Sequence, residues 1–304
     1  MKTMEQKQHL LPRRSLKACT SISWRTFALH PLDYLRASWP YLLLVGMAGS
    51  FFFEMVLDYA TSCALPALRL YETGGQAELA QFLLLPTLPQ VAYLVLALIV
   101  WLFSLNALGA RMVVLVSGET GSTNFRPLPL RYNSAHFRAQ RRLWTMGGVW
   151  ATGLALATAL IVWAAANWTP WLLCLLPLLY IYSWTTCNCT RMAYALCGLS
   201  FAQSFRFGLR RSLGIAGLLQ AVTLLPLLLI ACICWQPLLV HGATAWAAAD
   251  TLLRGDEASM PALLPVLYFV CATLGISFTA LIGTLRTYAL GLYCKDRTTG
   301  NGAA

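Results

Sequence analysis

Residues 146–184 read MGGVWATGLALATALIVWAAANWTPWLLCLLPLLYIYSW, and this stretch contains no charged side chain. A bilayer core about 30 Å thick needs roughly 20 apolar residues of helix to cross it. The stretch is long enough for two crossings. Its middle, Asn167-Trp168-Thr169-Pro170, combines turn-forming residues with a tryptophan suited to the headgroup layer. These residues predict two transmembrane helices joined as a tight hairpin.

The rest of the chain repeats this apolar pattern. The whole sequence is 58% hydrophobic and 11% charged, whereas soluble domains carry about 25% charged residues. Helices satisfy every backbone group inside lipid, so the predicted fold class is an all-α integral membrane protein. The length criterion gives six transmembrane helices, at residues 40–60, 88–116, 144–166, 169–190, 214–238 and 262–285.

The basic residues predict the orientation of these spans. Of 22 Lys and Arg, 20 fall in the segments assigned to one side, and only Arg69 and Arg254 fall in the outer loops at about 60–86 and 239–261. Basic loops stay in the cytoplasm, so both termini are predicted to be cytoplasmic, in a plasma membrane of the bacterial inner-membrane type. The basic charge then needs no nucleic-acid partner. Residues 1–21 lack the apolar core of a signal peptide and are predicted to be a cytosolic tail.

A threefold pattern divides the membrane domain, residues 22–290, into hairpin units at about 22–118, 133–198 and 199–290, with 291–304 as a second cytosolic tail. Each hairpin follows a short segment with apolar residues on one helical face and arginines on the other, as in helices that lie on anionic lipid headgroups. A soluble arginine-rich loop is the alternative for each segment, and true duplication stays open. The predicted lipid-facing residues are Trp24, Phe27, Trp144, Phe201, Phe205, Arg206 and Arg210.

The linker between the second and third units carries a resemblance. Residues 195–206, ALCGLSFAQSFR, lead from a span into an amphipathic segment. In topology the chain resembles bacterial membrane families that alternate interfacial helices with membrane hairpins, such as the membrane region attached to some bacterial glycerophosphodiester phosphodiesterases. The resemblance implies a helper module embedded in lipid.

Ionisable residues inside spans are functional candidates because burying charge in lipid is costly. Glu54 lies in the outer third of the first span, with Asp58 one turn further on the same face. This carboxyl is predicted either to carry a proton or cation or to extend toward water beside Asp58. The other candidates are Arg111, Arg191 and Arg286, one near the inner end of each returning span. Asn106 and Arg191 belong to polar patches expected to hydrogen-bond between helices.

Metal and disulfide chemistry are not predicted. The ten cysteines lie mainly in helices or on the cytosolic side, so no structural disulfide is expected. In the pairs Cys187/Cys189 and Cys232/Cys234, side chains two residues apart on a helix point about 200° from each other. The histidines form no i, i+4 pair in a span, and known catalytic or cofactor motifs are missing from the sequence.

Three functions are compatible with this sequence. The favoured hypothesis is a non-enzymatic accessory or scaffold component of a membrane complex, whose partners are the bilayer and either a membrane protein or a second copy of the chain. The first alternative is a transporter or permease subunit that uses Glu54 with an arginine partner. The second alternative, a lipid-modifying membrane enzyme, is disfavoured because the sequence lacks an interfacial cluster of His, Asp or Glu.

Overall fold

A computed structural model describes residues 14–72, 87–118, 133–212, 225, 227–256 and 263–299, and these residues form helices and short connections without a β-strand. Five helices of the described residues are long and apolar enough to cross a membrane. A bent pair raises the number to six if the pair counts as one span. The predicted all-helical fold is therefore confirmed for these residues, and the number of helices long and apolar enough to span a membrane is compatible with the six predicted spans.

The chain enters the first span through a helix break. Helix α1 (Leu16–Leu29) begins at Ser15, whose hydroxyl accepts a hydrogen bond from the amide of Ala18, and α2 (Pro31–Tyr59) begins after His30. A proline at the first helical position loses no hydrogen bond. The first amphipathic segment, predicted as one interfacial helix from Trp24 to Trp39, is therefore divided between α1 and α2.

The first span is longer than predicted. Helix α2 continues into a π-helical segment, Ala60–Ala64, and then into α3 (Leu65–Glu72). The apolar run within these elements, Pro31–Leu68, covers 38 residues. Helix α4 (Thr87–Ser117) follows and agrees closely with the predicted second span at 88–116.

The central hairpin has the predicted turn. Helix α5 (Ser134–Asn167) ends at Trp168, a 3₁₀ segment (Pro170–Cys174) follows, and α6 (Leu175–Leu196) returns against α5. The separate interfacial helix predicted before the third span is not observed, because α5 begins at Ser134 and passes through Trp144 without a break. No proline or glycine lies between positions 134 and 146 to end the helix.

The residues of the linker after α6 explain where α6 ends and where the next helix begins. Cys197 ends α6, and Gly198 adopts a φ of 66°, a left-handed conformation that glycine adopts without a side-chain penalty. Helix α7 (Phe201–Ser212) then begins with a reciprocal cap, in which Ser200 and Gln203 each accept a hydrogen bond from the other's backbone amide. The third amphipathic segment, predicted at 200–213, is thus a helix.

The fifth predicted span, at 214–238, is described only in part, since residues 213–224 and 226 lie outside the described residues. Helix α8 (Leu227–Cys234) and helix α9 (Gln236–Leu253) meet at Trp235 with a bend of 47°. Residues 239–261 are predicted as an outer loop. This prediction is wrong for residues 239–253, because they belong to helix α9. Leucine and alanine dominate α9 and favour helix regardless of where the membrane ends.

The last helix, α10 (Leu264–Thr299), covers the predicted span at 262–285 and continues nine residues past the domain boundary suggested at 290. Its final part is buried, with Tyr288 and Cys294 fully enclosed. Two prolines lie within the predicted spans, at the starts of helices. Pro177 lies in the first turn of α6 and Pro265 in the first turn of α10, where an amide donor is not needed.

The described residues divide into two compact units. Unit 1 comprises those within Met1–Ser38, Asn106–Pro226 and Gly283–Ala304. In its core the Tyr34 hydroxyl donates to the Thr284 hydroxyl at 3.0 Å, and the Ser23 hydroxyl donates to the Leu285 carbonyl at 2.7 Å. Near the termini, Arg14 contacts both carboxylate oxygens of Asp296, at 2.6 and 2.9 Å.

Unit 2 comprises the described residues within Trp39–Leu105 and Leu227–Ile282. Its α2 and α10 segments cross closely at Gly46, where an added Cβ would collide with the Thr273 carbonyl and the Ser277 hydroxyl. Ser50 and Thr273 share a hydrogen bond of 3.0 Å, and the Ser277 hydroxyl donates to the Leu42 carbonyl. Small residues therefore bring the backbones together, and interhelical hydrogen bonds, worth roughly 0.6–2 kcal/mol each, hold them.

Candidate functional site

The first candidate from the sequence, Glu54, lies on α2 in unit 2 and has a partner. Its carboxylate Oε1 is 3.4 Å from Nε2 of His241 on α9, and the Glu54 side chain is 27% exposed while His241 is 4% exposed. The sequence hypothesis gave Glu54 an arginine partner, and the structure gives it a histidine. Asp58, predicted on the same face, is exposed and does not join this pair.

The imidazole of His241 is held on a second side by α10. Its ring stacks on that of Tyr268, with centroids 4.7 Å apart and planes inclined by 26°. The neighbouring Gly242 brings α9 close to α2, since a Cβ there would lie 4.0 Å from Leu57. Three membrane helices, α2, α9 and α10, thus each contribute one side chain to a contact centred on His241.

Aromatic rings occupy the α2 surface next to Glu54. Phe53 packs edge-on against Trp235 at 5.3 Å and against Trp101 at 5.7 Å, and Phe52 stacks on Trp101 at 5.2 Å. Trp235 is the residue at which α8 and α9 bend. Because large rings fill irregular space and exclude water, this cluster fixes the bend beside the Glu54–His241 pair.

Helical irregularities lie on both sides of the pair. The π-helical segment begins at Ala60, six residues after Glu54, and the bend at Trp235 lies six residues before His241. Helix α9 packs against the π-helical segment and against α3. Single π-turns and broken membrane helices concentrate at functional sites. The pair therefore lies about two turns from each of two irregular points in the helices of unit 2.

The three candidate arginines all lie in unit 1 and are tied to the helices around them. Arg111 is 1% exposed, and its Nε donates to the Ala37 carbonyl at 2.8 Å. Arg191 donates to the Asn106 side-chain carbonyl, which confirms the predicted polar contact between the second and fourth spans. The Arg286 guanidinium lies 6.0 Å above the Trp184 ring. Such contacts join neighbouring helices.

The predicted lipid-facing residues take varied positions. Trp24 is 48% exposed, and Arg206 and Arg210 are exposed. Phe201 and Phe205, although partly exposed, contact the rings of Tyr194 and Trp150 respectively. The other two residues that were predicted to face lipid, Phe27 and Trp144, are half-buried.

The side of α7 that packs on α6 consists of small residues. Ser204 is fully buried, and a Cβ on Gly208 would collide with Thr190. The bulky apolar face therefore does not make the closest contact. The amphipathic pattern predicts the helix α7 correctly, but it does not predict which face of α7 packs on α6.

The cysteines do not form a metal centre among the described residues, which hold no group of three or more His, Cys, Asp or Glu arranged for an ion. Burial raises the pKa of the Cys19 thiol to about 11, and the nearby Asp296 carboxylate adds to the rise. Burial also raises the pKa of Cys197. Metals and electrophiles react with the thiolate, so both thiols are poor ligands and nucleophiles at neutral pH.

Sequence reasoning missed His241. It is the only acidic, basic or histidine residue between Arg211 and Asp250, and an isolated ionisable group in such a run signals a buried partner. The criterion applied to the histidines, an i, i+4 spacing, detects pairs on one helix and cannot detect a pair between α2 and α9.

The chain was compared with known proteins, and it matches no family model, no curated protein and no solved structure.

Proposed function

We propose that the chain is a non-enzymatic accessory or scaffold component of a membrane complex, with six spans arranged as three hairpins and both termini in the cytoplasm of a bacterial inner membrane. The observation that carries the proposal is the bare surface of α5. In the most apolar 18-residue window of this span only 6% is buried, against 39% for the span Pro31–Leu68. A helix that its own protein covers so little is suited to packing against another protein in the membrane.

The composition of α5 supports a helical partner. Gly148, Thr152, Ala155 and Ala159 recur at helical spacing on one exposed face, and nothing lies within 4 Å of a Cβ built on Gly148. Thr158, about a quarter of a turn from the centre of this face, shares a hydrogen bond of 3.2 Å with Tyr180 on α6. Small residues let membrane helices approach closely. The partner is therefore an apolar transmembrane helix.

In-membrane photocrosslinking tests this proposal. A photoreactive amino acid at Ala155 is expected to give a reproducible protein crosslink that mass spectrometry identifies. The matched control is Leu160, which is 66% exposed but lies about a third of a turn away from the small-residue face, and it should crosslink mainly to lipid. Lipid adducts alone from both positions would contradict the accessory role.

A transporter or permease subunit is the second candidate, favoured by the Glu54–His241 pair beside a broken span. Discontinuous helices that carry an ionisable group in the membrane are typical of ion-coupled transport sites. The test is proton or cation flux into vesicles carrying the purified protein, compared with Glu54→Gln and with Asp58→Asn as the control. The accessory role predicts no flux in any of them, and flux lost only in Glu54→Gln would establish transport.

A further inference from the structure

His241 combines deep burial with an incomplete set of partners. It is 3% exposed, and its Nδ1 has no hydrogen-bond partner among the described residues. A buried polar atom left in this way is unfavourable, because it has lost its hydrogen bonds to water. Its other nitrogen, Nε2, is 3.4 Å from the Glu54 carboxylate, beyond the 2.7–2.9 Å or so of a strong charged hydrogen bond. A purely structural histidine would be expected to satisfy both nitrogens.

The charged surroundings of His241 are simple. Among the described residues, Glu54 on α2 and Tyr268 on α10 are titratable side chains that contact it. On its own helix, Asp250 lies more than two turns away and pairs with Arg254 at 2.7 Å. On α2, Asp58 is exposed one turn beyond Glu54. Glu54 is therefore the acidic side chain in contact with His241 in this part of the structure.

We propose that Glu54 and His241 form a proton-binding site that links α2 to α9. A proton from water binds an imidazole nitrogen of His241, and the resulting imidazolium faces the Glu54 carboxylate as an ion pair of zero net charge. When the proton returns to water, a neutral imidazole remains beside a carboxylate, and the attraction between the two helices weakens. No other bond forms or breaks.

The surrounding structure gives this proton a mechanical consequence. His241 is carried by α9, which begins at the bend at Trp235, and Glu54 precedes the π-helical segment. A bend and a π-turn each interrupt the regular hydrogen-bond ladder of a helix. Binding of the proton tightens α9 against α2, and its release loosens that contact. The proposal holds whether or not the chain transports a substrate.

The test uses the full-length protein in nanodiscs. Nitrogen-15 NMR of labelled histidines follows the imidazole signals between about pH 5 and pH 8, the range in which histidine charge usually changes, and His241→Gln identifies the His241 signal. We expect that signal to change from the neutral to the charged form across this range. A His241 signal that keeps one form throughout would overturn the proposal.

Thermal stability gives the second measurement. Since the protonated pair attracts, the melting temperature of the wild type should exceed that of Glu54→Gln by more at acidic than at alkaline pH. His30→Gln, which removes a histidine outside unit 2, should follow the wild type at every pH. An equal difference between wild type and Glu54→Gln at every pH would contradict the link between the proton and the helix contact. If His241→Gln does not fold, the pH dependence of the difference in melting temperature between wild type and Glu54→Gln still decides the question.

Discussion

The bend between α8 and α9 makes a prediction about one glycine. Gly275 on α10 packs against the backbone of Cys234, the last residue of α8. A Cβ built on Gly275 would lie 3.1 Å from the Cys234 carbonyl carbon and closer still to its oxygen. Because the obstacle is backbone, no side-chain rotation can relieve the collision. Gly275→Ala must therefore move α10 away from the bend.

The magnitude follows from two opposing terms. Overpacking of this kind costs about 1–3 kcal/mol, and the gain in helix propensity from Gly to Ala returns up to about 1 kcal/mol. We expect a net loss of about 1–2 kcal/mol, which corresponds to a fall in melting temperature of roughly 2–8 °C. The assay is thermal unfolding of the purified protein in detergent, scanned at one fixed rate because unfolding of membrane proteins is commonly irreversible.

Gly283→Ala is the matched control on the same helix. No described atom lies within 4 Å of a Cβ at Gly283, so this substitution keeps only the gain in propensity and should leave stability equal or slightly higher. If Gly275→Ala were as stable as Gly283→Ala, α10 would not pack against the Cys234 carbonyl as described. The account of the bend would then be refuted.

Three further predictions concern unit 1. Gly198→Ala should lower stability by about 1–2 kcal/mol in thermal unfolding, because an L side chain is strained at its φ of 66°. Asp296→Asn should lower the free energy of unfolding by about 1 kcal/mol, because the partly exposed ion pair with Arg14 is lost. This decrease should be smaller at high salt, which screens the pair in the wild type. A decrease that salt does not alter would exclude the ion pair as its cause. Alkylation of Cys19 in the folded protein should be very slow at pH 7 and faster as the pH approaches about 11, and fast modification at pH 7 would show that this thiol is not buried.

The sequence predicts the spans well where lipid alone determines the pattern. Residues 146–184 contain no charge, and both α5 and α6 and their turn at Trp168 follow from that fact. It predicts the ends of helices poorly, because apolarity marks where a helix can enter a bilayer and not where it stops. For this reason α9 and the last turns of α10 extend through segments predicted as loop and tail.

Amphipathic patterns proved less informative about separate helices. The segment before the third span has alternating apolar and basic faces, yet α5 passes through it unbroken because no proline or glycine interrupts residues 134–146. The segment before the first span is broken at His30, where Pro31 starts a new helix. Local breaking residues, rather than the amphipathic face, therefore determine where one helix ends and the next begins.

The sequence predicts one residue of the candidate site and misses its partner. Glu54 is visible in the sequence as a carboxyl in an apolar run, whereas its partner depends on how α9 packs on α2. Residues 54 and 241 are far apart in the chain, and their contact at 3.4 Å is a property of tertiary packing alone. Among the glycines of α5, Gly147 lies close to the Arg191 side chain, while Gly148 and Gly153 meet no described atom within 4 Å.

Reporter fusions test the central claim, that the chain crosses the membrane repeatedly and that the bent pair α8 and α9 counts as one crossing. A reporter placed after residue 205, in α7, and another after residue 256, just beyond α9, bracket this crossing. We expect a cytoplasmic signal at 205, an extracytoplasmic signal at 256, and a cytoplasmic signal again after residue 300. A cytoplasmic signal at 256 would mean that the bent pair re-enters the membrane without crossing it, and it would contradict the six-span account.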